Sequence, residues 1–458
     1  MNFNLGNTNG ARWLSAHRLD VGLALVIFFF SVFVFLISRV HQLADSNYSM
    51  LLSQSLIQHR SFTLDHYQIP RLPPTQQVFY VSNGNIYQLE LVDNHIYYLW
   101  GPGTSVLSVP FVALMNAWGV SSTNADGTYN PDGEVRIQAR LAALLMAALA
   151  AVFYLTSRLL LPPHWAILLS IGSALGTQIW STASRAMWSD TWGIFLLGFV
   201  VFALIANEIG IYRLRPALLA TLLAWTYFIR PTFALPILVI TFYIFIFYRR
   251  SFTLYAVVGA VWFSVFAIYS TYHFGQLLPN YYFAYQHFGF ANFKWALAGN
   301  LVSPSRGLLV FVPVLSFVMY LLIRYRATLP LRRLVVLSLI IVVLHLIVVS
   351  SYSPWNGGHC YGPRYSTAIV PWLFLLGLAG VQARRHSLNR LPVSRRFPLK
   401  RLEASLGALL LLMSVTINAL GATSHATWLW NSRPVNVDQQ PDRVWDWKHP
   451  QFLARWVR

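Results

Sequence analysis

The sequence predicts an all-α polytopic membrane protein of about eleven transmembrane helices, with a long first extracytoplasmic loop that carries juxtamembrane helices. Three observations predict it. Of 458 residues, 56% are hydrophobic and only 10% are charged, where a soluble domain carries about 25% charged residues. Apolar runs near the length of a bilayer crossing recur along the whole chain. Arginines and lysines gather in alternate connections between those runs. The formal net charge of +19 would suggest a nucleic-acid partner in a soluble protein. Here basic cytoplasmic loops account for it, and no nucleic acid is expected. The single cysteine, Cys360, excludes an internal disulfide and a thiolate metal cage.

The predicted spans are Val21–Ile37, Leu141–Leu160, Ala166–Trp180, Thr191–Ala206, Pro216–Phe228 and Phe233–Phe247. Leu254–Tyr269, Leu308–Ile323, Leu334–Val349, Ser366–Val381 and Leu406–Leu420 follow. The first run lacks a small-residue cleavage site behind it and reads as a retained anchor. Arg12 and Arg18 precede it, which places the N-terminal segment, residues 1–20, in the cytoplasm. Arg158, Arg213 with Arg215, Arg249 with Arg250, Arg324 through Arg333, and Arg384 through Arg401 then share that side. The membrane domain covers residues 21–421, and the tail at 422–458 lies outside.

Gly103–Trp118 tests this order. It is apolar, but Gly101, Pro102, Gly103 and Pro110 interrupt it and its length is marginal. Counted as a span, it would move every later arginine cluster outside, so it is expected to lie on or re-enter the outer surface. His41 to Arg140 becomes one outer loop of about 100 residues, a length usually tied to function. Phe79–Tyr87 alternates apolar and polar residues, and with Glu90–Trp100 it is expected to form a hairpin.

Ionisable residues left on the outer side need a local reason. They are Asp45, Asp65, Arg71, Arg185, Asp190, Arg230, His273, Lys294, Arg306, His359 and Arg364. Asp45 follows the first span. Arg185 and Asp190 flank the turn into the fourth, Arg230 precedes Pro231, and Ser303-Pro304-Ser305-Arg306-Gly307 precedes the eighth. Ser353–Tyr365 follows the ninth and carries Trp355, His359, Tyr361, Arg364 and Tyr365. Carboxylates and arginines converging at one interface suit a phosphate-bearing lipid headgroup being cleaved. Guanidinium forks take phosphate oxygens in pairs, and an ionised carboxylate accepts a proton from a hydroxyl nucleophile. Each residue also has a plainer reading. Asp190 with Arg185 makes a helix-end ion pair, and Arg230 caps carbonyls at its proline. His359 is then a solvated loop residue, and Arg306 touches lipid phosphate. Tyr and Trp near span ends form an interfacial belt. Their shared sidedness favours the functional reading.

With those residues in view, the pattern resembles the GT-C superfamily of glycosyltransferases, on the side of protein O-mannosyltransferases and aminoarabinose-type lipid A transferases. Asp45 matches the acidic residue these enzymes carry just after the first span, and Arg185…Asp190 matches their second outer-loop motif. Pro102-Gly103 with Thr104–Ala113 resembles their juxtamembrane segment. Gly357–Tyr365 and Ser303–Gly307 are similar to late-loop motifs of bacterial members. The similarity covers about residues 20–370. Two departures stand out. Asp45 is followed by Ser46 where many members have Asp-Glu, and only a short tail stands where larger members carry a soluble domain.

The resemblance implies a polyprenyl-phosphate-linked sugar donor and an acceptor hydroxyl on a protein, lipid or glycan. Asp45 is then expected to act as the general base of an inverting displacement, with Asp190 as its catalytic companion. Arg185, Arg230, Arg306 and Arg364 form the pool that binds the donor phosphate. Tyr48, Ser303, Trp355, His359, Tyr361 and Tyr365 are expected to contact substrate. No metal site is expected, although Asp45 and Asp190 are able to share a divalent cation. The expected location is a bacterial plasma membrane, with the site and the C-terminal tail extracytoplasmic. Two rival readings remain. One is a lipid-linked glycan flippase or transporter, which would show inverted repeats and a polar through-path. The other is a ligase or polymerase using a polyprenyl-diphosphate glycan.

Overall fold

The computed structural model describes residues 18–69, 86–390 and 392–456. Arg71, most of the N-terminal segment and the Phe79–Asn85 part of the expected hairpin lie outside them. The first helices are α1 (Arg18–Ile37), α2 (Ser49–Gln58), α3 (Gly103–Ala117) and α4 (Pro131–Arg158). Then come α5 (Pro163–Leu175), α6 (Ser189–Glu208), α7 (Pro216–Ile229), α8 (Ala234–Phe247) and α9 (Arg249–Phe274). A short α10 (Phe293–Val302) leads to α11 (Val314–Arg324), α12 (Arg332–Ser350), α13 (Val370–Asn389) and α14 (Val393–Thr423). The apolar runs read from the sequence are thus helical, with breaks at Gly176–Thr177 in the third and at Val312–Pro313 in the eighth. Seven helical stretches among the described residues are long and apolar enough to cross a membrane, while α3, α5, α7, α11 and Pro231–Phe247 are apolar but shorter.

The pairing of α1 with α4 organises the bundle. At one end Asp20 accepts hydrogen bonds from Tyr154 Oη (2.9 Å) and Arg158 Nε (2.6 Å). At the other end Gln138 reaches Ser46, and Glu134 reaches the start of α2. The two helices are therefore antiparallel, and residues 38–130 leave and return at the same end. Helix α4 begins ten residues before its apolar run, because Pro131 suits the first helical position and Asn130 Oδ1 accepts from Gly133 N at 3.0 Å. Those extra turns carry Glu134 and Gln138.

Helix α3 stays within the segment that leaves and returns. Its 15 residues span about 22 Å at 1.5 Å per residue, short of a hydrocarbon core of about 30 Å. Ser53 Oγ donates to Ser105 O at 2.8 Å, and Trp192 Nε1 donates to Ser108 Oγ at 3.0 Å. Gly103 lies so close to the end of α7 that an added Cβ would sit 2.7 Å from Phe228 C.

The remaining helices alternate in direction. Asp190 begins α6 and Glu208 ends it; Glu208 accepts from Tyr243 and Tyr248 and pairs with Arg333. Glu403, near the start of α14, accepts from Tyr325 Oη (2.6 Å) and Arg384 Nε (2.7 Å). Arg158, Arg249, Arg324, Arg333 and Arg384 therefore share the end opposite Asp45. Between the ends the core is apolar, with Phe153 and Phe374 stacked at 3.9 Å.

A hairpin forms within the stretch expected as the second strand. Strands β1 (Leu89–Val92) and β2 (His95–Tyr98) pair antiparallel. Asp93 and Asn94 both have positive φ (49° and 65°), as a two-residue type I′ turn requires. The turn thus falls inside what the alternation suggested as the second strand. With α2 the hairpin forms a small lobe around Tyr48, Leu51, Leu52, Leu64, Tyr67, Leu89 and Tyr98. The tail after α14 docks as well: Trp430, Val437 and Val444 pack with Trp355, and Gln451 Nε2 donates to Cys360 O at 2.8 Å.

Glu90 ties the hairpin to the connection after α9, where its Oε2 accepts from Asn280 Nδ2 at 3.0 Å. Burial raises its pKa to about 7, against the opposing bond from Asn280. A carboxyl whose folded pKa lies above its unfolded value costs stability progressively as pH rises from the unfolded to the folded value, and by a constant amount above that. Glu90→Gln is expected to raise the thermal midpoint in detergent at pH 8 and to leave it unchanged near pH 4.5. Thermal scans of both proteins across that range check it.

Candidate active site

Asp45 is placed by a segment pinned along its length. Val40 N donates to Ala422 O at 3.1 Å, and Gln42 Nε2 to Ser181 O at 2.7 Å. Gln88 Nε2 donates to Ala44 O (2.8 Å), Tyr98 Oη to Asp45 O (2.8 Å) and Gln138 Nε2 to Ser46 O (2.8 Å). Tyr48, with a left-handed φ of 71°, turns the chain into α2. The carboxylate is held at both oxygens: Tyr87 Oη donates to Oδ1 at 3.2 Å, and the Arg364 guanidinium to Oδ2. Burial, and next to it the Asp45 charge, raise the Tyr87 pKa, so Tyr87 serves as a hydrogen-bond donor.

The second carboxylate lies alongside. Asp190 sits in the first turn of α6, where the helix dipole favours an anion, and it is fully buried. It pairs with Arg230 Nη1 at 2.6 Å rather than with Arg185. Arg230 ends α7 in extended conformation because Pro231 follows it. The Arg364 guanidinium lies 3.7 Å over the Trp188 ring, a cation–π contact. Tyr365 stands between the two cations, 5.5 Å from Arg230 and 5.9 Å from Arg364. His345 Nε2 and Tyr365 O are 2.8 Å apart. The structure thus joins Asp45, Arg364, Tyr365, Arg230 and Asp190 in one constellation. Asp190 Oδ1 and Arg364 Nε are buried in it without hydrogen-bond partners, the kind of unspent valence that marks functional sites.

Other residues of the expected site are engaged elsewhere. Arg185 donates to Ser38 O (2.9 Å), Phe35 O (2.5 Å) and Ser184 Oγ (3.1 Å), so it caps the end of α1 and makes no carboxylate pair. Arg306 spends its donors on Asn356 O, Gly358 O, Ser305 O, Gln451 Oε1 and Asn431 Oδ1. It clasps the late loop to the tail, which leaves it no fork for phosphate. Ser303 Oγ donates to Val444 O and accepts from Arg306 N. Tyr361 is buried and donates to Ile417 O at 2.6 Å. Trp355 packs on Gly299 and near Trp445, Tyr48 on Tyr129, and His359 meets Asn436 and Asp438. These contacts engage Arg185, Arg306, Ser303 and Tyr361 within the protein, whereas Arg230 and Arg364 meet carboxylates.

The sequence reading missed Tyr87, Trp188, His345 and the pair Glu134 and Gln138. A signal existed for the last two, since a Glu and a Gln four apart at the head of an apolar span demand buried partners. Among the described residues no three His, Cys, Asp or Glu side chains converge to hold a metal ion.

No protein-family model matches this chain, nor does any curated protein. The chain is similar to ArnT. That crystal structure, of ArnT from Cupriavidus metallidurans in the apo state, matches with a TM-score of 0.47 at 15% sequence identity. The match covers 98% of this chain and 76% of that one. A likeness at this level assigns neither substrate nor residue role.

Arg306 yields a prediction separate from chemistry. Arg306→Ala strands five acceptors and is expected to cost at least ~3 kcal/mol, the upper value for a single hydrogen bond to a charged group. The check is a lowered thermal midpoint in detergent together with earlier proteolysis of the 424–456 tail.

Proposed function

We propose that this chain is a membrane glycosyltransferase of the GT-C kind, moving a sugar from a polyprenyl-phosphate donor to an acceptor hydroxyl with inversion. The observation that carries the reading is the Asp45–Arg364 pair, joined across 319 residues of chain, with Asp190–Arg230 beside it around Tyr365. Two cations and a carboxylate with open lines suit a reaction that holds a phosphate and deprotonates a hydroxyl. The arginines at the opposite end mark the cytoplasmic side, so the site faces outward. Nucleotide sugars are cytoplasmic, and an outward site therefore needs a lipid-borne donor. A bacterial plasma membrane suits these short loops.

The donor phosphate competes with Asp45 for Arg364, since a guanidinium fork takes two oxygens of either anion. Arg230, held by Asp190, completes the clamp. Asp45, kept in place by Tyr87 at Oδ1, turns Oδ2 to the acceptor and takes its proton. The acceptor oxygen bonds to the anomeric carbon as the bond from that carbon to the phosphate oxygen breaks. Polyprenyl phosphate leaves with the electron pair, and the arginines stabilise its charge. A single base suffices for one displacement, unlike the carboxylate pair of a retaining glycosidase.

Asp45→Asn is expected to lower transfer by roughly 10²–10⁴-fold while the protein still inserts and folds, with a lowered thermal midpoint because Arg364 loses its counter-charge. Release of polyprenyl phosphate from a polyprenyl-phosphate sugar in proteoliposomes measures it, and full activity in that variant would remove the proposed base. Arg364→Lys keeps the charge but loses the fork. It is expected to raise the donor KM by about tenfold or more, one bidentate contact being worth at least ~1.4 kcal/mol, with the acceptor KM unchanged. An equal rise for both substrates would argue against the phosphate role.

A further inference from the structure

Gln138 is fully buried on α4, one turn beyond Glu134, and uses both ends of its amide. Nε2 donates to Ser46 O and to Glu134 Oε1, each at 2.8 Å. Oε1 accepts from Met187 N at 3.0 Å. Ser46 follows Asp45. Met187 precedes Trp188, the ring on which Arg364 lies, and Asp190 comes two residues later. One amide therefore links the peptide beside the first carboxylate to the turn that carries the second and the platform of its arginine.

Glu134 completes the fixture. Its two oxygens accept from Met50 N (2.9 Å) and Leu51 N (3.1 Å) at the start of α2, where Tyr48 supplies no side-chain cap. The opposite flank of the Asp45 segment is thus tied to the same face of α4. An amide suits the neighbouring position because it is uncharged and offers donor and acceptor in one plane. A leucine there would match the volume and supply neither.

We propose that Gln138 is a positioning residue for the transfer reaction, setting the spacing between Asp45 and the Trp188–Asp190 turn. The effect on rate rests on the glycosyltransferase reading; the tie between the two segments does not. A misplacement of about 1 Å between reacting groups costs on the order of 10²-fold in rate. The loss falls on kcat, because Arg364 and Arg230, which meet the phosphate, are themselves untouched.

The test compares Gln138→Leu with Ser170→Ala, a control that removes another buried bond to α4, from Ser170 Oγ to Ala150 O at 2.6 Å. Hydrogen exchange followed by mass spectrometry on peptides covering 42–50 and 185–191 reads the tie directly. In Gln138→Leu both peptides are expected to exchange faster together, by about tenfold or more for a lost tie of ~1.4 kcal/mol. In Ser170→Ala neither changes. For transfer from a polyprenyl-phosphate sugar, kcat is expected to fall roughly 10–100-fold in Gln138→Leu, with the donor KM within about twofold. Unchanged exchange in either peptide, or an unchanged kcat, would overturn the proposal. So would a kcat loss matched by Ser170→Ala. If Gln138→Leu does not accumulate, Gln138→Met, which keeps the chain length, takes its place. Absence of transfer in the wild-type protein would overturn the glycosyltransferase reading, and exchange alone would then decide the tie.

Discussion

The ion pair between Asp45 and Arg364 joins the start of the chain to its last long loop, and the functional end of the bundle depends on it. Arg364 is 7% exposed and Asp45 22%, so neither charge is fully hydrated. A pair in that setting adds little net stability, because desolvation offsets most of the attraction. Removing one partner is a different matter, since it leaves the other charge without compensation, a loss of about 3–5 kcal/mol. Such a pair is held together by the need to neutralise the cation. A phosphate meets that need as well as a carboxylate does, and this makes the contact exchangeable.

The same logic separates the four outer arginines. All sit near helix ends, where carbonyls lack partners. Arg185 and Arg306 are satisfied entirely by neutral acceptors: the end of α1 for one, the late loop and tail for the other. They brace the site from behind. Arg230 and Arg364 face carboxylates and aromatic rings instead, and Arg364 keeps one donor unspent. The bundle thus invests two arginines in shape and two in charge.

Much of the fold was legible because apolar runs and alternating arginines are global signals. Gly103–Ala117 was readable as an apolar helix, and it packs beside the start of α6 and the end of α7. The site was legible as one end of the bundle and less so as a set of contacts. Asp45, Asp190, Arg230, Arg364 and Tyr365 are brought together from four separate stretches of sequence. Arg185 looked like the partner of Asp190 because it is five residues away, yet the turn between them points it back at α1. Nothing in a sequence reports which carbonyls a buried guanidinium will meet. Glu134 and Gln138 fell inside the long outer loop that ends at Arg140 and were not singled out, yet they hold the segment on either side of Asp45.

Binding of polyprenyl phosphate to the wild-type protein and to Asp45→Asn tests the exchange at Arg364 most directly. If Asp45 and the phosphate compete for that guanidinium, Asp45→Asn binds the lipid phosphate at least as tightly as wild type, despite its loss of transfer. Weaker binding in Asp45→Asn would mean that the carboxylate supports the phosphate site rather than yielding it, and would contradict the account.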